Sequence, residues 1–128
     1  MENIIINAIK NTNTDWLEIE SNIIDKFNDS ISIFIKKKEN KLFVSDDFLI
    51  LKNLSLNKKE INLNNIINLI KKEFEKNNLI KYINLIEFNK KELILICDFS
   101  KLETDNKFYK FIECFLNLIK KILDCPMV

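Results

Sequence analysis

Two adjacent carboxylates, Asp46 and Asp47, are the residues of this chain whose type and spacing come nearest to chemistry. Clustered carboxylates are how metal-dependent nucleases hold Mg²⁺, and Asp29 and Asp98 would complete such a cluster. The same pair has a plainer use. Acidic side chains just before an apolar helical stretch cap its free N–H groups and complement its positive end. Adjacent strand residues also point to opposite faces, which counts against a shared ion. Capping is the preferred reading, and under it Asp46→Asn is nearly neutral because Asn caps as well as Asp.

The second candidate is the lysine run Lys36, Lys37 and Lys38, with Lys41 close behind. Such a run suits a phosphate backbone. Here it is interleaved with acids and Asn, as on a solvated face, and the chain has no Arg to make forked contacts to phosphate or guanine. A net charge of +1 supplies no general field for nucleic acid.

What is missing excludes more. Without Gly there is neither a phosphate-cradling loop nor a dinucleotide fingerprint. Without His there is no Ser-His-Asp or Cys-His engine and no imidazole metal ligand. Cys97, Cys114 and Cys125 lack the spacing of a zinc site and are expected to be free thiols in a reducing cytosol. No apolar run approaches the ~20 residues of a membrane span. Ile, Asn and Lys make up nearly half of the chain, which marks an AT-rich coding sequence and a low-GC bacterium or its phage. Asn is then the expected stand-in for Gly in left-handed turns.

These residues need elements to position them. Apolar spacing predicts a short N-terminal helix over 2–11. Residues 16–27 fit a helix by periodicity, although Trp16 to Ile19 equally opens a strand. Ile31, Ile33 and Ile35 alternate as a strand, Glu39-Asn40 turns, and Lys41 to Ser45 returns. Phe48 to Leu56 reads as a short helix and Lys59 to Lys76 as a long amphipathic one. Two strands follow, Lys81 to Phe88 and Glu92 to Asp98, and a long helix from Thr104 to Asp124 ends before Pro126. Trp16, Tyr82 and Tyr109 are read as core or rim residues rather than stacking platforms.

The stretch Ile19 to Leu54 resembles a family of phage and prophage proteins, the DUF1828 family, a domain of unknown function. Its pattern is met by Asp25, Asn28-Asp29, Ile31-Ser32-Ile33-Phe34-Ile35, Leu42-Phe43-Val44-Ser45-Asp46-Asp47 and Asn53-Leu54. Ser21-Asn22 replaces the family's Thr-Pro, and Phe48 replaces the glycine after the acidic pair, so a different turn is expected there. The resemblance implies a mobile-element origin, a strand over Trp16 to Glu20 and a loop from there to Asp29. It brings no catalytic residue.

The resulting expectation is a single α+β domain over residues 1–128. It has an antiparallel sheet of about five strands, packed by two long helices and a short N-terminal one. The expected function is a phage- or mobile-element-encoded, non-enzymatic inhibitor of a host antiviral-defence protein in the cytoplasm, anti-CRISPR-like, with a CRISPR nuclease as target. The alternatives are a Mg²⁺-dependent nuclease centred on Asp46 and Asp47, or a nucleic-acid accessory protein using Lys36 to Lys38 and Lys41. No catalytic, cofactor or metal residue is assigned; Asp46, Asp47, Lys36, Lys37 and Lys38 are the candidate binding residues. The last helix carries more apolar surface than one sheet contact hides, so a homodimer through Phe108, Phe115, Leu116 and Ile119 is expected.

Overall fold

The computed structural model describes residues 6–11, 14–24, 30–56 and 62–124. In chain order they form β1 (Ile6–Asn11), β2 (Leu17–Ile24), β3 (Ser30–Lys38), β4 (Lys41–Ser45), α1 (Leu49–Leu56), α2 (Leu63–Lys76), a 3₁₀ turn (Ile80–Tyr82), β5 (Ile83–Asn89), β6 (Glu92–Asp98), α3 (Phe99–Thr104) and α4 (Phe108–Asp124). All strand pairs are antiparallel, in the order β1-β2-β3-β4-β6-β5. Four strands meander, and the β5–β6 hairpin docks onto β4 through β6.

One face of this sheet makes the core. Ile19 on β2, Ile31 and Ile33 on β3, Leu42 and Val44 on β4, and Leu93, Leu95 and Cys97 on β6 are all buried there. Their register partners carry the same face across the strands: Ile33 opposite Ile19, Val44 opposite Ile35, Leu95 opposite Val44. Ile50 and Leu51 of α1, Ile66, Ile70 and Phe74 of α2, Leu102 of α3 and the apolar side of α4 join that one cluster. Every described helix therefore packs on the same face.

The opposite, outer face holds residues that belong to no part of that cluster. Its rows follow from the pairing. Glu18, Phe34, Ser45, Ile94 and Glu87 form one row across β2, β3, β4, β6 and β5. The next contains Lys36, Phe43, Ile96 and Leu85, and the last Lys38, Lys41 and Asp98. An antiparallel sheet with one solvated face is ordinary. Here Ile94 and Ser45 are buried, Phe34, Phe43 and Ile96 half-buried, and Leu85 alone of the apolar residues is exposed.

Three expectations are corrected. The N-terminal segment is a strand, not a helix: Ile6–Asn11 pairs with β2, giving the sheet six strands rather than about five. β-branched Ile fits a pleated surface as well as a helix, and the ladder offered by β2 decides. β2 is a strand, as the resemblance implied against periodicity, and it runs on to Ile24 past a register irregularity rather than ending at Glu20. The terminal helix is preceded by a separate α3, whose N-cap Asp98 accepts from the Lys101 N–H at 3.1 Å. Asn106, in the left-handed region at φ 55°, turns the chain into α4.

The expected dimer stripe is also corrected. Phe115, Leu116 and Ile119 are fully buried within the single chain, and Phe108 is half-buried with its ring 6.3 Å from that of Phe99. Nine of the seventeen residues of α4 are buried because it contacts β2 on one side and α1 and α2 on others. Phe74 of α2 stacks at 4.8 Å on Phe111, and Lys121 of α4 reaches Glu73 of α2 at 2.7 Å. Width of an apolar stripe counts the neighbours of a helix, and four of them, α1, α2, α3 and β2, lie in the same subunit. Cys97 and Cys114 are free and buried, and burial pushes both thiols up; Cys125 lies outside the described residues.

Leu116→Glu should accordingly unfold the subunit instead of dissociating a dimer. Burying an unpaired carboxylate in place of a core Leu is expected to cost on the order of 4 kcal/mol. Urea titration followed by far-UV circular dichroism checks it, and a midpoint within error of the parent's would contradict the placement.

Candidate functional site

Asp46 sits at the corner where β4 turns into α1, fully buried. Its Oδ1 accepts the N–H groups of Phe48 and Leu93, each at 3.0 Å, and its Oδ2 accepts the Ile50 N–H at 3.0 Å. Its own backbone N–H donates to the Leu93 carbonyl at 3.2 Å. One side chain thus holds the start of α1 and the first turn of β6 to the end of β4. Burial raises its pKa from the ordinary 3.8 to about 6, against the lowering effect of the three N–H donors and with a small push from Glu92. The capping reading stands, with one change: the carboxylate needs both oxygens, so Asn is no equivalent here.

Asp47 points elsewhere. It is exposed, and its backbone N–H donates to Ser45 Oγ at 3.0 Å. Its carboxyl is raised, first by partial burial and then by the nearby charges of Glu92 and Glu18. Asp98 is engaged in capping α3. Asp29 lies outside the described residues. Among the described residues no three carboxylate or thiol groups are placed to share an ion.

Phe48 settles the turn. Asp47 and Phe48 both lie in the left-handed region, at φ 54° and 65°. The corner imposes on a phenylalanine a conformation that favours glycine. A left-handed non-Gly residue costs roughly 1–2 kcal/mol, which the Asp46 hydrogen bonds across this corner offset.

The lysine run is divided by the pleat. Lys36 reaches over the outer face, with its Nζ 4.8 Å from the centre of the Trp16 ring and 5.4 Å from that of Phe43. Lys37 goes to the other side, with its Nζ 4.5 Å above the Phe99 ring. Lys38 is exposed at the end of the hairpin beside Lys41. Consecutive lysines on one strand do not make one phosphate track.

Lys37 and Phe99 border a groove of about 570 Å³ where the ends of β2 and β3 meet α3 and the start of α4. Leu17, Ile35, Leu42 and Phe108 form its walls and Tyr109 its lip, with Asp15 and Glu103 at the edge. Tyr109 is 60% exposed and stands edge-on to Phe108, with ring centres 5.5 Å apart. A concave, mainly apolar site with a few polar groups is where an incoming side chain finds the most contact. The sequence marked Lys36, Lys37 and Tyr109 separately. It did not mark Phe99, whose only signal was its place directly after the helix-capping Asp98.

Residues 21–118 match the family model described as Domain of unknown function DUF1828. No curated protein and no solved structure matches the chain. No described helix is long and apolar enough to cross a membrane.

Three outcomes test this corner. Asp46→Asn should destabilise the fold by about 1–3 kcal/mol, because one backbone N–H then faces an amide NH₂. Since folding raises the Asp46 pKa, its proton-linked stability is present below pH 3.8 and lost as pH rises through about 6. The Tm difference between parent and Asp46→Asn should therefore narrow from pH 4 to pH 7, and a constant or widening gap would contradict it. Phe48→Gly should raise stability by roughly 0.5–1 kcal/mol by relieving the left-handed strain, measured by the urea midpoint.

Proposed function

We propose that this chain, which belongs to the DUF1828 family, is a non-enzymatic binding protein that inhibits a host defence protein. In its specific form the proposal is a phage- or mobile-element-encoded inhibitor of a CRISPR nuclease. The observation that carries it is the groove beside Phe99, Phe108 and Tyr109. Those are the side-chain types that act as anchors at protein interfaces, and they surround a concavity able to receive a partner's side chain.

The residues with chemical potential support the same reading. Asp46 has both oxygens committed to backbone donors. Asp47 diverges from it, and the lysines are distributed over two faces. An inhibitor that occupies a surface needs shape and a few anchors, which this site offers, rather than an acid, a base or a nucleophile.

The test uses the purified full chain with CRISPR effector nucleases of low-GC bacteria, reading co-elution and DNA cleavage together. Binding and loss of cleavage are expected with at least one effector class. Tyr109→Ala, at an exposed position, should weaken binding roughly tenfold at unchanged melting temperature. Retained cleavage with every class would remove the specific target. Undiminished binding by Tyr109→Ala would place the anchor away from the groove.

A further inference from the structure

β5 ends the sheet, with β6 as its neighbour in the ladder and none on the other side. Lys90 and Lys91 form a tight turn, so Asn89 and Glu92 are the pair that closes the hairpin. In such a hairpin the closing residues exchange both backbone bonds, and every second residue before them does the same. Asn89, Glu87 and Leu85 therefore turn their N–H and C=O groups to β6. Ile86 and Phe88 turn theirs to the open side. Among the described residues no turn, loop or side chain supplies a partner for those groups.

Native sheets guard such an edge with lysine, proline, a bulge or an inward-pointing charge. β1, the opposite edge, has Lys10 and a register irregularity between Ile6 and Ala8. β5 is irregular at its start alone, between Ile83 and Leu85. From Leu85 to Asn89 the pairing is regular, without proline or lysine, and Glu87 is the one charge. Its side chains are incompletely covered as well. Ile86 and Phe88 lean on the core yet stay half-buried, and Leu85 on the outer face is 49% exposed. Glu87, on the same face as Leu85, is exposed, and among the described residues no cation pairs with it. One object meets all of these groups together: an extended chain laid along β5.

We propose that the open edge of β5 takes an extended segment of another protein as a seventh strand of the sheet. The segment runs antiparallel to β5. Its residues opposite Ile86 and Phe88 exchange both backbone bonds with them and point to the core side, where apolar side chains complete the cover. Its residue opposite Glu87 points to the outer face and is Lys or Arg, because unlike charges favour a cross-strand pair. The stem of that residue lies against the neighbouring Leu85. A second copy of β5 fits less well. Setting Ile86 against the copy's Phe88 opposes Glu87 to Glu87, and setting Ile86 against Ile86 leaves Glu87 facing Leu85; neither supplies a cation. The edge shares no residue with the groove, so this site stands apart from the groove reading.

The probe is the acetylated and amidated peptide Lys-Val-Lys-Val-Lys-Val-Lys, added to the isotope-labelled full chain and followed by amide resonances. Shifts confined to β5 and the adjoining residues of β6 are expected, with exchange of the Ile86 and Phe88 amides slowed roughly tenfold at saturation. The same peptide with Glu in place of Lys should bind about tenfold more weakly, and Glu87→Lys, at an exposed position, should reverse that order. Methylating the Val backbone nitrogens, which face β5, should abolish binding, whereas methylating the Lys nitrogens, which face away, should leave it unchanged. No shift in β5 at millimolar peptide overturns the proposal. So does equal loss on methylating either set of nitrogens, or equal binding of the Lys and Glu peptides. Protection of the Ile86 and Phe88 amides that rises with protein concentration in the absence of peptide gives the edge to a second copy, and overturns it too.

Discussion

The junction of β4, α1 and β6 depends on the carboxylate of Asp46. β4 must leave the sheet into α1, yet its free edge must still receive β6, forty-odd residues later in the chain. Asp46 meets both demands at once by accepting from Phe48 and Ile50 on the helical side and from Leu93 on the strand side. Its backbone bond to Leu93 sets the β4–β6 register at that end, and Ser45 opposite Ile94 continues it. A buried ionisable group is costly unless its hydrogen-bonding capacity is met. Here three backbone donors meet it, and they in turn are donors that would otherwise be orphaned at a helix start and a strand start.

Much of this was legible in the sequence because it is local. The β3–β4 and β5–β6 hairpins follow from alternation and a turn, and α2 from a single apolar stripe with Ile66, Ile70 and Phe74 inward. The acidic corner was legible as a cap, but only as a cap. The bond to Leu93 is a property of the tertiary pairing, and it turns a replaceable side chain into one that needs two oxygens. The N-terminal segment failed for a related reason. Its isoleucines carry no period that separates helix from strand, and the deciding partner, β2, was itself ambiguous by periodicity. The α4 stripe was read correctly as broad and wrongly as surplus, because a sequence shows how much of a helix is apolar and not how many elements surround it.

The absence of glycine has a visible structural consequence. Six described residues take positive φ: Glu39, Asp47, Phe48, Asn78, Lys90 and Asn106. Asn, the expected substitute, fills only two of them. Asn78 closes α2 and Asn106 closes α3, which are helix ends where left-handed residues are common. The others sit in the β3–β4, β4–α1 and β5–β6 connections and bear the conformational cost directly. Phe48 is the extreme case, a bulky side chain in the left-handed region and 43% exposed. Composition here does not relocate the turns; it makes the surrounding hydrogen bonds hold residues ill-suited to them.

The pleat then determines what the surface can do. Because consecutive residues of β3 face opposite ways, Lys36 and Lys37 serve two separate regions: one lies over Trp16 and Phe43 on the open face, the other over Phe99 at the groove. Lys36 also lines the groove, so the end of β3 is where the open face and the groove meet. β3 is held on both sides by antiparallel ladders, which fixes where both cations stand relative to the groove.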